Sequence, residues 1–381
     1  MATLTWDQVC AWRLARHSLA PRANADPLAV IGRICGLQAQ LLPAAEQALW
    51  ARTDRGGAGA LAAGLWEERT LAKTWLMRGT LHIVPAADLP LYAAARQAFP
   101  AKRPPSYYTY HGVTPEELAA IEEGVREVLG AEGMTREELA DALARRAGRD
   151  SLRATLGSGW GALLKPSAAA GDLCFGPNRG QQVTFVRPER WLGSWETIEP
   201  QAAIREVARR YLNAYGPASA DDFARWWGAT PAQGKRVFRE LGATLAPVEI
   251  DGWQAMALAE TLDELAGATL AAPVVNLLPG FDPYVIALLR QEALLDPALR
   301  DQVSRPQGWI APVLLVDGRM AGVWDTERTK DAITAQVTPF RPLTAAERRG
   351  AEHEAERLAA AGSPGHAPGG AASVKLTFAA D

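Results

Sequence analysis

The 381-residue chain has no uninterrupted apolar run of the roughly eighteen residues a membrane-spanning helix needs, which excludes an integral α-helical membrane protein. Its first ten residues, MATLTWDQVC, lack a basic start followed by an apolar stretch, so no secretory signal is expected. Cysteine is scarce: Cys10, Cys35 and Cys174 form no CxxC pair, which removes thioredoxin-like redox chemistry and cysteine-based zinc sites. These cysteines are expected as small buried hydrophobes in a reducing, cytoplasmic compartment. The histidines, His17, His82, His111, His353 and His366, are scattered rather than set at ligand spacing, so no metal is expected. GxSxG, HExxH, a Walker loop and a strand-led GxGxxG are all missing, which argues against serine hydrolases, zinc peptidases, P-loop NTPases and dinucleotide enzymes. Any catalysis is therefore expected to proceed without cofactor and with little conventional equipment.

What is present is a globular composition, 48% hydrophobic and 22% charged, long enough for two or three domains. The net charge of −3 hides an asymmetry: residues 1–112 carry a balance of +5 and residues 113–381 one of −8. A basic N-terminal part suits a local phosphate-binding face, or is simply uneven solvated surface. Apolar periodicity predicts a helix over Trp6–Leu19 with Arg13 and Arg16 outside. Asp26-Pro27 opens a second helix ending near Gly36, and a third is expected around Ala44–Arg52. A small helix around Gly59–Trp66 and a strand over Leu81–Val84 follow.

Two later stretches share one plan. Thr135 with Glu138 has capping-box spacing for a helix ending at Gly148, followed by a helix around Gly159–Ala170 and strands Leu173–Phe175 and Val183–Val186. Ser219 with Asp222 caps a helix ending at Gly228; Thr230-Pro231 starts another, and strands Leu245–Ile250 and Trp253–Leu258 flank an Asp251-Gly252 turn. With preceding helices over 117–129 and 201–214, this is the layout of the winged helix, a fold used to read DNA and sometimes to bind protein. The last third reads as β-rich and barrel-like, with strands Val274–Leu278, Val313–Val316, Ala321–Trp324 and Val374–Phe378 and a flexible Ala/Gly/Pro-rich loop over 359–373.

"GLQAQLLP", Gly36–Pro43, places Gln38 and Gln40 two residues apart on an apolar run. On a helix, side chains two apart diverge by roughly 200°, whereas an extended segment turns both to one face. Gly36 and Pro43 bracket such a segment, with Leu37, Ala39 and Leu41 expected inward. Either this is ordinary polar surface, or two amides serve one site. In "TWLMRGTLHIVP", Arg78 and His82 either cover apolar surface or line the same cleft as the glutamines. "LLPGFDPYV" (Leu277–Val285) reads as a packing motif. "PPSYYTYHG" after Lys102-Arg103 is either a loop of packed tyrosines or a base-stacking surface.

Together, "GLQAQ", "WLMRGTLHIVPAAD", "LLKPSAAAGDLCFGP" with "VTFVRP", "LLPGFDPYV" and "VLLVDGRMAGVW" resemble, in the same order and over about residues 5 to 340, the AlkZ-like bacterial winged-helix DNA glycosylases. The resemblance implies an α+β fold of three tandem winged-helix units plus a β-rich element, C-shaped around a DNA channel. Boundaries follow at 1–112, 113–195, 196–270 and 271–381, the first unit coming from the resemblance alone. Gln38-Ala39-Gln40 matches the Gln-x-Gln branch rather than the YcaQ-like branch, which ends in Asp. The resemblance further implies a monofunctional glycosylase that excises N7-alkylated purines, including bulky adducts and crosslinks made by natural products, in base excision repair or self-resistance. Gln38 and Gln40 would be catalytic. Arg78, His82, Lys102, Arg103, Lys165, Arg179, Lys235 and Arg236 are the candidate DNA contacts. The expected partner is double-stranded DNA carrying alkylated purines, bound by a monomer, with no membrane. One departure stands out: Asp325 follows "AGVW", where similar chains place basic residues. The competing readings are a winged-helix DNA-binding regulator without catalysis and a protein-interaction scaffold.

Overall fold

Helix starts in this chain are written by short polar caps. Thr5, Thr114, Thr135, Ser219 and Thr230 each accept a backbone N–H from the third helical residue, whose side chain returns a bond to the cap. Asp26, ahead of Pro27, accepts from the Leu28 N–H instead. Gly148 and Gly228 end their helices in the left-handed region that a residue with a Cβ avoids. The computed structural model describes residues 1–55, 59–99, 103–157, 161–328, 332–360 and 373–379. The chain divides into two compact units, one of residues 61–207 and one of residues 1–60 with 208–381.

One element order occurs three times along the chain: helix, short strand or bridge, helix, helix, hairpin. The first copy runs through α2 (Pro27–Arg33), β2 (Leu37–Gln38), α3 (Leu42–Trp50), a helical stretch over 60–67, β3 (Leu71–Trp75) and β4 (Leu81–Pro85), with β1 (Ala2–Leu4) and α1 (Trp6–Arg16) ahead of it. The second spans helix Pro115–Val128 to strand Gln182–Val186, and the third helix Pro200–Tyr215 to strand Trp253–Leu258. These are the three winged helices of an α+β fold.

In the unit of residues 61–207, β3 and β4 pair antiparallel, with Thr74 opposite His82. The second winged helix orders its sheet Met134–Thr135, Gln182–Val186, Cys174–Arg179. Trp75 lies 4.9 Å from Phe175 and 6.1 Å from Phe185, joining the β3–β4 hairpin to that sheet's core. Where one helix was expected around Gly159–Ala170, there are two, Ser151–Gly157 and Lys165–Ala170. The tyrosine run is a helix, Pro105–His111, rather than a loop.

In the other unit, the third winged helix is completed from far away: β1 pairs in parallel with strand Leu245–Ile250, Ala2 opposite Val248 and Leu4 opposite Ile250. Strand-like Ala2–Leu4 is too short to read from periodicity. The β-rich element is a five-stranded sheet ordered Val275–Leu278, Val313–Val316, Arg319–Arg328, Ala332–Pro339, Ser373–Phe378. The last pairing is parallel, and helix Ala345–Ala360 packs on the sheet through Ala351 and Ala355. Strand Ala332–Pro339 and this helix have no counterpart in the sequence reading. Residues 361–372 of the loop expected over 359–373 lie outside the described residues. Among the described residues, no helix is long and apolar enough to cross a membrane.

Candidate active site and nucleic-acid contacts

The glutamine segment begins where α2 fails. Ile34 ends the helix, and the chain turns through two successive left-handed residues, Cys35 at φ 61° and Gly36 at φ 103°. Gly36 tolerates that angle; Cys35 holds it at a steric cost of roughly 1–2 kcal/mol. The Gly36 N–H donates to Ile31 O at 2.9 Å and the Cys35 N–H to Gly32 O at 3.1 Å. The buried Tyr215 hydroxyl donates to Ile34 O at 2.8 Å, satisfying a carbonyl that the helix end would leave open.

Leu37 and Ala39 emerge wholly buried, as the extended reading required. The amides alternate with them but unequally: Gln38 retains 7% of its surface, while Gln40 is exposed. Leu41, expected inward, is instead 44% exposed. It stands at the N-cap of α3, where the other two winged helices place Thr135 and Ser219, and it has no oxygen with which to cap. An exposed leucine without a capping oxygen, directly after two glutamines, departs from the capped starts of the corresponding helices in the other two winged helices.

The far end of α3 is anchored. Arg52 and Asp282, both without exposed surface, exchange two bonds of 2.7 Å. Asp282, supplied by "LLPGFDPYV", also accepts the Tyr284 N–H as the cap of helix Pro283–Leu288. That motif is structural, as its sequence suggested. Arg13, expected outside α1, is fully buried, donating to Gly216 O at 3.1 Å and Pro217 O at 2.8 Å. These carbonyls lie just past Tyr215, so Arg13 braces the segment that carries the hydroxyl.

The unit of residues 61–207 brings three of the candidate contacts together. Arg78 occupies the turn between β3 and β4 at φ 55°, ahead of Gly79 at φ 67°. Lys165 runs beside that turn, its Cδ 3.8 Å from where a Cβ on Gly79 would sit. His82 is 3% exposed, its Nδ1 2.8 Å from Thr80 O. Burial first, and the Arg78 charge second, push its pKa down to about 3. It is therefore a neutral imidazole at neutral pH, not a cation for phosphate. Burial also lowers the pKa of Lys165.

The remaining candidates are dispersed. Arg179 pairs with Glu138 at 2.6 Å and donates to Gly133 O at 2.5 Å. Arg103 pairs with Glu122 at 3.5 Å and covers the Tyr107 ring at 5.7 Å. Lys235 and Arg236 are exposed on helix Pro231–Leu241, with Arg236 bonded to Glu240 at 2.8 Å. Lys102 lies outside the described residues. Among the described residues, no three His, Cys, Asp or Glu side chains gather to hold a metal ion. Sequence reasoning missed Arg13, Tyr215 and the role of Arg52. Nothing near them in sequence points to partners some two hundred residues away.

The profile of the family described as DNA glycosylase AlkZ-like matches residues 31–361. An interstrand DNA cross-link repair glycosylase of Streptomyces sahachiroi is 36% identical over 373 residues, covering 96% of this chain and 98% of the relative. The solved structure of the Streptomyces sahachiroi DNA glycosylase AlkZ superposes with a TM-score of 0.88 at 34% identity over the whole of both chains. With three winged helices, a five-stranded sheet and a match of this extent, the chain belongs to the AlkZ-like DNA glycosylase family.

Proposed function

We propose that this glycosylase removes N7-alkylated purines, bulky adducts and crosslinks among them, by hydrolysing the N-glycosidic bond with water held by Gln38 and Gln40. The observation that carries the reading is the glutamine segment: two neutral amides alternate with buried Leu37 and Ala39 at the mouth of an anchored helix. Ordinary glycoside hydrolysis uses two carboxylates, one to protonate the leaving group. An N7-alkylpurine already carries positive charge and leaves without protonation. What remains is to orient a water at C1′ and to face partial negative charge toward an oxocarbenium-like sugar. Amide oxygens can do both, since each accepts hydrogen bonds from water and presents a fixed dipole. On an unmodified nucleotide the same amides are too weak, which makes their weakness a source of selectivity.

The relative that acts in interstrand cross-link repair supports the extension to bulky lesions. So does the exposure of Gln40 and Leu41, because a snug pocket for a flipped base would reject a large adduct. Gln38→Ala and Gln40→Ala are each expected to slow release of 7-methylguanine from methylated duplex by about 100-fold, the scale of losing one preorganised dipole. Free base and abasic sites are the products to measure. Wild-type release by both variants, with folding intact, would sink the assignment.

A further inference from the structure

We propose that Tyr215 is a positioning residue for the glutamine pair: its hydroxyl, bound to Ile34 O, sets the turn that aims Gln38 and Gln40. The proposal rests on the reading of those glutamines as catalytic. Only Cys35, Gly36 and Leu37 separate the accepting Ile34 carbonyl from Gln38, so this stretch has little slack. A shift there passes directly into the amides, and in an extended segment one step of register exchanges buried and exposed faces. The turn is held against a conformational preference, since Cys35 sits at φ 61°. Such angles persist only where surrounding contacts overdetermine them.

The hydroxyl is itself held in place. The Tyr215 ring is 1% exposed, with His17 edge-on at 4.7 Å, Tyr211 stacked at 5.4 Å and Trp226 at 5.9 Å. Beyond it, Gly216 allows no side chain, because a Cβ would fall 2.3 Å from Leu212 O. Arg13 then grips Gly216 O and Pro217 O. Phenylalanine would fill this aromatic cluster as well as tyrosine does. Phenylalanine lacks the hydroxyl that bonds Ile34 O.

Tyr215→Phe therefore separates packing from aim. Well below its melting temperature, the variant is expected to release 7-methylguanine at least about tenfold more slowly in single turnover, since misplacement of a reacting group by an ångström is worth up to two orders of magnitude. Its affinity for the same duplex should stay at the wild-type value, and the side-chain amide NMR signals of Gln38 and Gln40 should move. Val248→Ala, a fully buried change in the same unit, is the control for lost stability: its melting point should drop with release unchanged. Release by Tyr215→Phe at the wild-type rate, beside inactive Gln38→Ala and Gln40→Ala, overturns the positioning role and leaves the catalytic reading standing. Equal slowing in Val248→Ala and Tyr215→Phe also overturns it, as a stability effect. If both glutamine variants release base normally, the catalytic reading falls and the Tyr215 role falls with it.

Discussion

Arg52 and Asp282 illustrate how a buried charge is tolerated in this protein. Each has no exposed surface, and the fork of the guanidinium meets both carboxylate oxygens at 2.7 Å. Arg52 also donates to Ala48 O, and Asp282 accepts from the Tyr284 N–H. Removing one partner strands the other in a low-dielectric interior. Asp282→Ala is expected to destabilise the protein by about 3–5 kcal/mol, seen as a lower urea midpoint for the unit holding the glutamines. Replacing both, Arg52→Met with Asp282→Leu, should recover most of that loss, because an apolar pair needs no compensation. If Asp282→Ala unfolds at the wild-type midpoint, Arg52 must have found other partners. Arg13 follows the same logic with carbonyl oxygens instead of a carboxylate, so helical periodicity, which assigned it to solvent, misled.

At the scale of elements, the third winged helix shows how closely its two central helices cross. A Cβ on Gly234 would lie 2.4 Å from Ala220 O and 2.9 Å from Ala224 Cβ, so Pro231–Leu241 and Ala220–Trp227 touch backbone to backbone. Gly234→Ala should force them apart at a cost of about 1–3 kcal/mol, the usual range for overpacking, measured by thermal or urea unfolding. The exposed face of Pro231–Leu241 presents Lys235, Arg236 and Arg239. If that face meets DNA, Lys235→Ala weakens binding equally on all sequences and lowers the slope of log affinity against log salt by about one. An unchanged slope would remove Lys235 from the DNA surface. The helices, their caps and the Asp251-Gly252 hairpin were readable because their signals are local: a cap and its partner lie three residues apart. The parallel strand β1 was not, since its partner lies nearly 250 residues away.

Across the whole molecule, each unit contains a buried histidine held neutral. In the unit of residues 61–207, burial lowers the pKa of His82 to about 3. In the other, burial, with the charges of Arg52 and Arg13 behind it, keeps His17 well below its usual range. An unfolded histidine takes up its proton near pH 6.5, so below that value the unfolded chain binds protons that the folded chain refuses. The stabilising contribution of neutral His82 is complete above pH 6.5 and is lost as the pH falls toward 3. By pH 5 the loss from His82 is about 2 kcal/mol. The urea midpoint is therefore expected to fall between pH 6.5 and 5, and His82→Leu should flatten that decline for its own unit. A wild-type protein as stable at pH 5 as at pH 7 would contradict the burial of both rings. A neutral His82 brings no positive charge to a phosphate, and its Nδ1 lies 2.8 Å from Thr80 O in the turn that follows Arg78.

By itself the sequence determined what is encoded within a few residues: the capping boxes, the Asp251-Gly252 turn, the helix–helix–hairpin order, and the bracketing of Gln38-Ala39-Gln40 between Gly36 and Pro43. Only the tertiary structure decided that Gln38 is nearly buried while Gln40 and Leu41 are exposed, that Arg13 lies inside, and that Tyr215 holds the turn before the glutamines. The polar burials depend on partners between 181 and 230 residues away: Tyr215 with Ile34, Arg13 with Gly216 and Arg52 with Asp282. Local periodicity reports a residue's own preference for water. It carries no record of the distant carbonyl or carboxylate that makes burial of a polar group favourable.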